Sequence, residues 1–240
     1  MRTLVLRVDG TNCEQETLYA LKLAGSIPAL AHINELLRNR LSLEDFQGLV
    51  IPGGFAYGDH IAAGKVLASI LQYRLRKEIL AFVEDNKPIL GICNGFQALI
   101  KSDLLDVDAT LETNDSGLFI DRWITLNRVA DNRFTENIDH LFVPINHGEG
   151  KFIATEKTLD MLEVEKRVVF EYKENPNGSY RNIAGIINQE GNVIGLMPHP
   201  EKFVHYFQHP SWTRLPKGVL AKEGEGLQFY RNFVRAGEKH

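Results

Sequence analysis

KPILGICNGFQALIKSDLL, residues 87–105, is the stretch that decides the fold of this chain. Residues 88–92 form a short apolar run of strand length, and from Phe96 onward apolar residues recur at helical spacing. Only three residues separate the two patterns, so Cys93 is predicted to lie on a tight turn between a strand and a helix. Turns of this kind are where the active sites of open α/β sheets gather.

Cys93 has the sequence setting of a nucleophile. Gly91 and Gly95 flank it in the pattern G-x-C-x-G, the thiol counterpart of the G-x-S-x-G nucleophile elbow. At the N-terminus of the following helix, free N–H groups and the helix dipole favour the thiolate over the thiol and can hold an oxyanion. The alternative is a buried cysteine that fills the end of a strand, since free cysteine is among the most buried residue types.

The composition favours one domain over residues 1–240, because 240 residues with 44% hydrophobic and 24% charged side chains can bury a full core. A formal net charge of -4 without a long basic run argues against nucleic acid or a membrane as a partner. Two cysteines cannot form a disulfide framework, and the N-terminus lacks the apolar core of a signal peptide. We expect a soluble, cytoplasmic protein in which Cys13 is a structural turn cysteine.

The first half of the chain alternates strand and helix patterns. This alternation predicts an α/β fold with an open, mostly parallel sheet that helices cover on both faces. The predicted strands are residues 4–8, 27–33, 49–51 and 88–92, and the predicted helices are residues 15–24, 34–40 and one long segment, 59–86.

The second half changes character and predicts antiparallel additions to the sheet. Residues 183–197 form a hairpin pattern across Gln189–Asn192, and residues 226–236 predict a closing helix. Residues 201–224 match no single pattern. The further predicted strands are residues 117–126, 142–146 and 167–172.

A cysteine nucleophile needs a base, usually a histidine, and that histidine needs a partner that fixes its ring. His199 follows a predicted strand in Met197-Pro-His-Pro-Glu201, where two prolines stiffen the backbone. In a rigid loop the carboxylate of Glu201 can reach one ring nitrogen while the other faces the thiol. Cys93, His199 and Glu201 therefore form a plausible catalytic triad.

His147 is the rival base. It also follows a predicted strand and also precedes a glutamate, Glu149, by two residues, so spacing cannot separate the two candidates. The glycines around His147 suggest a mobile or close-approach loop, better suited to a site wall or a subunit contact.

Pro52–Asp59, PGGFAYGD, is a second glycine-rich turn at a strand end. The backbone amide of Gly54 could serve as an oxyanion donor opposite the amide of Asn94. The neighbouring residues 58–65 resemble a phosphate loop, but the spacing is wrong and Val66 replaces the required Ser or Thr, so nucleotide binding is rejected. No cluster with zinc-ligand spacing occurs in the sequence, so no metal site is expected.

The segments GICNGFQ, IPGGFAYGD, HGEG and MPHPE, in this order, resemble the class I glutamine amidotransferases. GGFAYGD, HGEG and the N-terminal GTNC are most similar to the glutaminase subunits (subunit I) of phosphoribosylformylglycinamidine synthases. The resemblance implies a flavodoxin-like three-layer sandwich. It also implies Cys93 as nucleophile, His199 as base and Glu201 as orienting acid, with the amides of Gly54 and Asn94 as the oxyanion hole.

The same resemblance implies the residues that bind glutamine. Gln97 is expected to contact the bound substrate. The segment SGLFIDR, residues 116–122, resembles the family segment that borders the glutamine pocket, which makes Phe119 and Arg122 candidate contacts.

The resemblance further implies that ammonia from glutamine passes to a separate synthetase subunit (subunit II), accompanied by a small accessory subunit. ATP and Mg²⁺ would be used by that partner, which converts formylglycinamide ribonucleotide to formylglycinamidine ribonucleotide, and this chain would bind no cofactor. Three alternatives stay open: a different ammonia acceptor, a non-catalytic subunit that keeps the fold, and a cysteine hydrolase of a related elbow fold. The last usually places histidine directly after the cysteine, where this chain has Asn94.

Overall fold

A nine-stranded sheet carries the site. The structure is a computed structural model that describes residues 1–59, 61–220 and 222–238. In the described chain the strands are β1 (Arg2–Arg7), β2 (Ile27–His32), β3 (Gly48–Ile51), β4 (Ile89–Ile92), β5 (Ala109–Thr113), β6 (Ile120–Arg128), β7 (His140–His147), β8 (Glu149–Ala154), β9 (Val168–Tyr172), β10 (Ile183–Ile187) and β11 (Val193–Leu196). The α-helices described are α1 (Glu14–Leu23), α2 (Ile33–Leu37), α3 (Lys65–Tyr73), α4 (Arg76–Glu84), α5 (Asn94–Lys101), α6 (Glu156–Val164), α7 (Lys217–Leu220) and α8 (Gly226–Gly237).

The strand order of the main sheet is β2-β1-β3-β4-β11-β10-β9-β6-β7. The strands from β2 to β11 pair in parallel, and the pairs from β11 to β7 are antiparallel. The predicted α/β fold, a parallel sheet with antiparallel additions, is thus confirmed, as is the hairpin between β10 and β11.

The central strands position the site. Strands β3, β4 and β11 are buried along their whole length, as expected for continuous apolar runs in the middle of a parallel sheet. Strand β4 pairs with β11 in a register that places Ile92 beside Leu196. The chain segments that follow these two strands therefore leave the sheet side by side at the same edge.

The predicted long helix over residues 59–86 is wrong. Two helices, α3 and α4, occupy this region, separated at Arg74 and Leu75. The Leu75 side chain is buried, so the chain turns to insert it into the core. Both helices have the same apolar periodicity, which hides the break in the sequence. His60, within the predicted helix, lies outside the described residues.

Other differences concern short elements. The strand predicted from residue 117 begins at Ile120, because Gly117 has a φ of 67° and closes a turn with its N–H on the Asn114 carbonyl. The prediction missed α6 and the two-stranded sheet of β5 and β8. Residues 201–224 contain 3-10 turns and the short α7. The single domain over residues 1–240 stays a prediction.

The closing helix predicted at residues 226–236 is confirmed as α8. None of the helices in the described ranges combines the length and the apolar character that crossing a membrane requires.

Candidate functional site

Cys93 lies on the predicted elbow between β4 and α5. Its φ of 51° and ψ of -104° are unusual for a residue other than glycine, and such strained backbone recurs at active sites. A Cβ on Gly95 would lie 2.0 Å from the Ile51 carbonyl oxygen, and one on Gly91 would lie 2.5 Å from Leu99 Cδ1. Glycine is therefore required on both sides of Cys93 because helix α5 packs directly against the sheet.

Burial favours the protonated form of the Cys93 thiol. Burial raises its pKa to about 12, assisted by the neighbouring Cys13 and by the charge of Glu201 and opposed by Lys202 and the Asn94 backbone N–H. Desolvation therefore opposes the thiolate that the helix N-terminus favours, and it is the larger of the two effects. A base must remove the proton when the sulfur reacts.

His199 and Glu201 form a buried pair in the turn that follows β11. His199 Nδ1 and Glu201 Oε1 are 2.5 Å apart, and both side chains are almost fully buried. Within the described chain His199 Nε2 has no hydrogen-bond partner. The bond to Glu201 directs Nδ1 away from the reaction, which leaves Nε2 to exchange a proton.

Two hydrogen bonds fix the nucleophile and the proposed base against the same neighbouring strands. The Cys93 N–H donates to the Leu196 carbonyl at 2.8 Å, three residues before His199. The His199 N–H donates to the Pro144 carbonyl at 2.9 Å, and Cys93 Sγ lies 3.7 Å from the carbonyl oxygen of Asn146, two residues further along β7. The sheet therefore sets the relative position of the two residues.

The glycine-rich turn after β3 lies on the N-terminal loop. The Gly53 carbonyl accepts hydrogen bonds from the N–H groups of Asn12, at 3.4 Å, and Cys13, at 3.2 Å. Because the peptide is trans, the Gly54 N–H points away from these donors, and no backbone bond among the described residues uses it. The Asn94 N–H lies beside the Cys93 sulfur. Both N–H groups are thus candidate donors to an oxyanion.

A small cavity of about 230 Å³ opens at Cys93. Its size suits an amino acid, since pockets for larger ligands begin at roughly 300 Å³. Phe119 and Phe55, both about half exposed, have ring centroids 6.3 Å apart and form its rim. The lining includes Gly54, Cys93, Gln97, Phe119, His147 and Glu149.

The expected glutamine contacts divide into those that line this cavity and one that does not. Gln97 lines it, with its amide held by Asn94 Nδ2 at 2.9 Å and by the Glu149 carbonyl at 2.5 Å. Phe119 is on the rim. Arg122 lies in a separate cleft beside Trp123, so the structure does not bring it to Cys93.

His147 is also in this cavity but has different partners. Its Nδ1 is 3.0 Å from Asn114 Oδ1, and the Asn114 amide is oriented by its bonds to the Leu118 and His147 carbonyls. Burial, with a smaller effect from His199, lowers the pKa of His147 to about 4, so the ring is neutral at pH 7. Glu149 Oε2 accepts from the Ala63 N–H at 3.3 Å.

Sequence reasoning missed the place of Cys13. Its sulfur lies within 4.8 Å of ligand atoms of His199 and Glu201, although 186 residues separate Cys13 from His199 in sequence. A thiol, an imidazole and a carboxylate could together hold a divalent metal. His199 Nδ1 is already bound to Glu201, however, and burial raises the pKa of Cys13 to about 12, so this thiol is a poor metal ligand. The only sequence signal for the position of Cys13 near His199 would have been a contact between the GTNC loop, residues 10–13, and the site.

Residues 1–235 match the family described as the CobB/CobQ-like glutamine amidotransferase domain. The chain belongs to this glutamine amidotransferase family. Among relatives of the amidotransferase, the phosphoribosylformylglycinamidine synthase subunit PurQ of Dehalococcoides mccartyi is 41% identical over 250 residues, which cover 98% of this chain and 97% of the relative. PurQ of Picrophilus torridus is 39% identical over 245 residues, with 96% of each chain covered.

A solved structure agrees. The structure of PurLQS from Thermotoga maritima contains a chain that matches the amidotransferase with a TM-score of 0.79 at 31% identity, covering 98% of this chain and 97% of that one. The family resemblance read from the four sequence segments is therefore confirmed.

Proposed function

We propose that this amidotransferase is the glutaminase subunit of a phosphoribosylformylglycinamidine synthase of de novo purine biosynthesis. It hydrolyses glutamine to glutamate and ammonia and passes the ammonia to a synthetase subunit. The observation that carries the proposal is the buried His199–Glu201 pair at the sheet edge where Cys93 opens into a small cavity. The PurQ relatives supply the acceptor reaction by similarity.

The first half-reaction makes a thioester. His199 Nε2 takes the proton of the Cys93 thiol as the sulfur attacks the side-chain amide carbon of glutamine. The N–H groups of Gly54 and Asn94 stabilise the resulting oxyanion. Nε2 then gives its proton to the amide nitrogen, the carbon–nitrogen bond breaks, and ammonia leaves. Glu201 holds the ring and stabilises the imidazolium while it carries the proton.

The second half-reaction restores the enzyme. Water loses a proton to His199 Nε2 and its oxygen attacks the thioester carbon. The carbon–sulfur bond breaks, the proton moves from Nε2 to the Cys93 sulfur, and the product leaves as glutamic acid, which ionises in solvent. Because burial favours the neutral thiol, the resting state is regenerated without a free thiolate.

The product nitrogen explains the need for a partner. Ammonia exposed to solvent at pH 7 would be mostly protonated and lose its nucleophilicity, so an enclosed path into a second enzyme protects it. By similarity to PurLQS, we propose that the partner is a PurL-type synthetase that uses ATP and Mg²⁺, with a small PurS-type subunit, in the cytoplasm. We assign no cofactor to this chain.

The test measures product formation by the assembled complex. Cys93→Ala should abolish glutamine-dependent conversion of formylglycinamide ribonucleotide and leave ammonia-dependent conversion at the wild-type rate. Survival of the glutamine-dependent reaction would refute Cys93 as nucleophile. In addition, glutamine hydrolysis by the wild type should rise when the synthetase subunits, ATP and formylglycinamide ribonucleotide are all present. Cysteine-dependent hydrolysis indifferent to these partners would refute the acceptor and keep the glutaminase.

A further inference from the structure

We propose that Tyr230 is a positioning residue whose hydroxyl donates a hydrogen bond, through one buried water, to Glu201 Oε2. This inference rests on the proposed function, in which Glu201 orients His199. It extends the Cys93, His199 and Glu201 set outward to the C-terminal helix α8.

One carboxylate oxygen of Glu201 has no hydrogen-bond donor in the described part of the chain. One carboxylate oxygen, Oε1, is bound to His199 Nδ1, whereas Oε2 is buried and has no partner within the described residues. A buried carboxylate oxygen without a donor is costly, and native proteins rarely leave one unsatisfied. A donor close to Oε2 is therefore expected.

The Tyr230 hydroxyl is the candidate donor. The side chain is fully buried, and its hydroxyl has no hydrogen-bond partner among the residues that the structure describes. Burial raises the pKa of Tyr230 well above its usual value, the negative charge of Glu201 adds to the rise, and a contact with the Thr17 hydroxyl opposes it. At neutral pH the hydroxyl thus keeps its proton for donation.

The start of α8 brings Tyr230 towards Glu201. A Cβ on Gly226 would lie 2.0 Å from the Pro200 carbonyl oxygen, and the Gly226 N–H donates to the Phe203 carbonyl at 2.9 Å. The helix therefore begins directly on the turn that contains Glu201. Tyr230 follows Gly226 by four residues and so lies on the same helix face, one turn further along.

The neighbouring donors of Cys13, Thr17 and Lys202 bind other acceptors, and Glu201 Oε2 has no partner among the described residues. The Cys13 thiol donates to Asn12 Oδ1 at 3.2 Å, and the Thr17 hydroxyl donates to the Cys13 carbonyl at 2.8 Å. Lys202 Nζ lies 2.5 Å from Asn146 Oδ1. The Thr17 hydroxyl can still accept a bond, so it competes with Glu201 for the Tyr230 proton. A carboxylate is the stronger acceptor.

The experiment uses the assembled synthase complex with the substitutions Tyr230→Phe, Glu201→Gln and the double variant. Tyr230→Phe keeps the buried ring and should lower kcat of the glutamine-dependent reaction by about 10-fold, as the loss of one hydrogen bond to a charged group would give. KM for glutamine and the ammonia-dependent rate should not change. In the Glu201→Gln background, Tyr230→Phe should have no further effect, because the charged acceptor is already gone.

Each other outcome is decisive. An unchanged kcat in Tyr230→Phe, with a loss in Glu201→Gln, overturns the role of Tyr230 and keeps Glu201 in the triad. An unchanged kcat in Glu201→Gln instead removes Glu201 from the proposed mechanism. Equal losses from Tyr230→Phe in both backgrounds, or a drop in the ammonia-dependent rate, would mean that the hydroxyl acts structurally. As a control, Thr17→Val should keep kcat; if it reproduces the Tyr230→Phe loss, the acceptor is Thr17 and the proposal is wrong.

Discussion

Residues 145–150 and 197–201 have the same sequence pattern and different chemistry. In each, a glutamate lies two residues after a histidine. His147 is the last residue of β7, not part of the loop that its glycines suggested, whereas His199 lies in the turn after β11. In the second segment Glu201 binds His199 directly, whereas in the first Glu149 accepts from the Ala63 backbone and an amide, Asn114, holds His147.

The difference shows that the partner of a buried histidine decides its role. In the proposed mechanism, the carboxylate on one ring nitrogen is what suits His199 to carry a proton during turnover. A neutral amide offers no such charge, and burial lowers the pKa of His147 to about 4. His147 is therefore suited to remain a neutral wall of the cavity.

Asparagine at each position gives the largest expected contrast. In His199→Asn the amide can still bind Glu201 but cannot transfer a proton, so kcat for glutamine hydrolysis should fall by about 10³-fold, within the range of general acid–base catalysis. His147→Asn keeps the N–H that faces Asn114 and should lower kcat far less. Both are measured by steady-state glutamate release in the complex. Equal losses would erase the distinction between the two histidines.

A pair of glycines offers a smaller contrast. A Cβ on Gly53 would lie 2.7 Å from His199 Cε1, and one on Gly150 would lie 2.3 Å from His147 Cε1. Gly53→Ala should shift the His199 ring by a fraction of an ångström and lower kcat by about 10-fold, since a 1 Å displacement can cost ~10²-fold. Gly150→Ala should instead lower the free energy of unfolding by roughly 1–3 kcal/mol through overpacking.

Glutamine kinetics and urea unfolding of both alanine variants separate the two effects. A Gly150→Ala variant with full stability and a 10-fold lower kcat would reverse the assignment and make the His147 ring the more sensitive one.

The smallest expected effect concerns the pH dependence of the free energy of unfolding, which tests His147 without an activity measurement. The pKa of His147 is about 4 in the folded protein against 6.5 when unfolded, so the unfolded state binds the extra proton as the pH falls. Its contribution is fully present above pH 6.5 and is lost between pH 6.5 and pH 4. Between pH 7 and pH 5 the wild type should therefore lose roughly 2 kcal/mol more unfolding free energy than His147→Asn, measured by urea unfolding. Equal losses would show that His147 is not held neutral by the fold.

The sequence predicted the features that depend on neighbouring residues. The apolar runs, the G-x-C-x-G turn at Cys93 and the closing helix are local patterns, and the structure has each of them. The MPHPE segment likewise confines His199 and Glu201 to one rigid turn, so their contact could be anticipated.

The features that depend on distant segments were not predictable. Spacing alone could not choose between His147 and His199, because Asn114 is 33 residues from His147 in sequence. Cys13 reaches the site only through the hydrogen bonds of its loop to Gly53. The protonated state of Cys93 follows from burial that a helix N-terminus does not reveal.

The pairing of β4 with β11 has an evolutionary consequence. Strands in the middle of the sheet hold the nucleophile and its base, so the residues that fix the distance between them also fix the core, and most substitutions there are selected against for stability. Phe55 and Phe119, on the exposed rim, are not part of this core, so substitutions there are less constrained by stability. Divergence can therefore remodel the exposed rim while the buried core behind it is inherited unchanged.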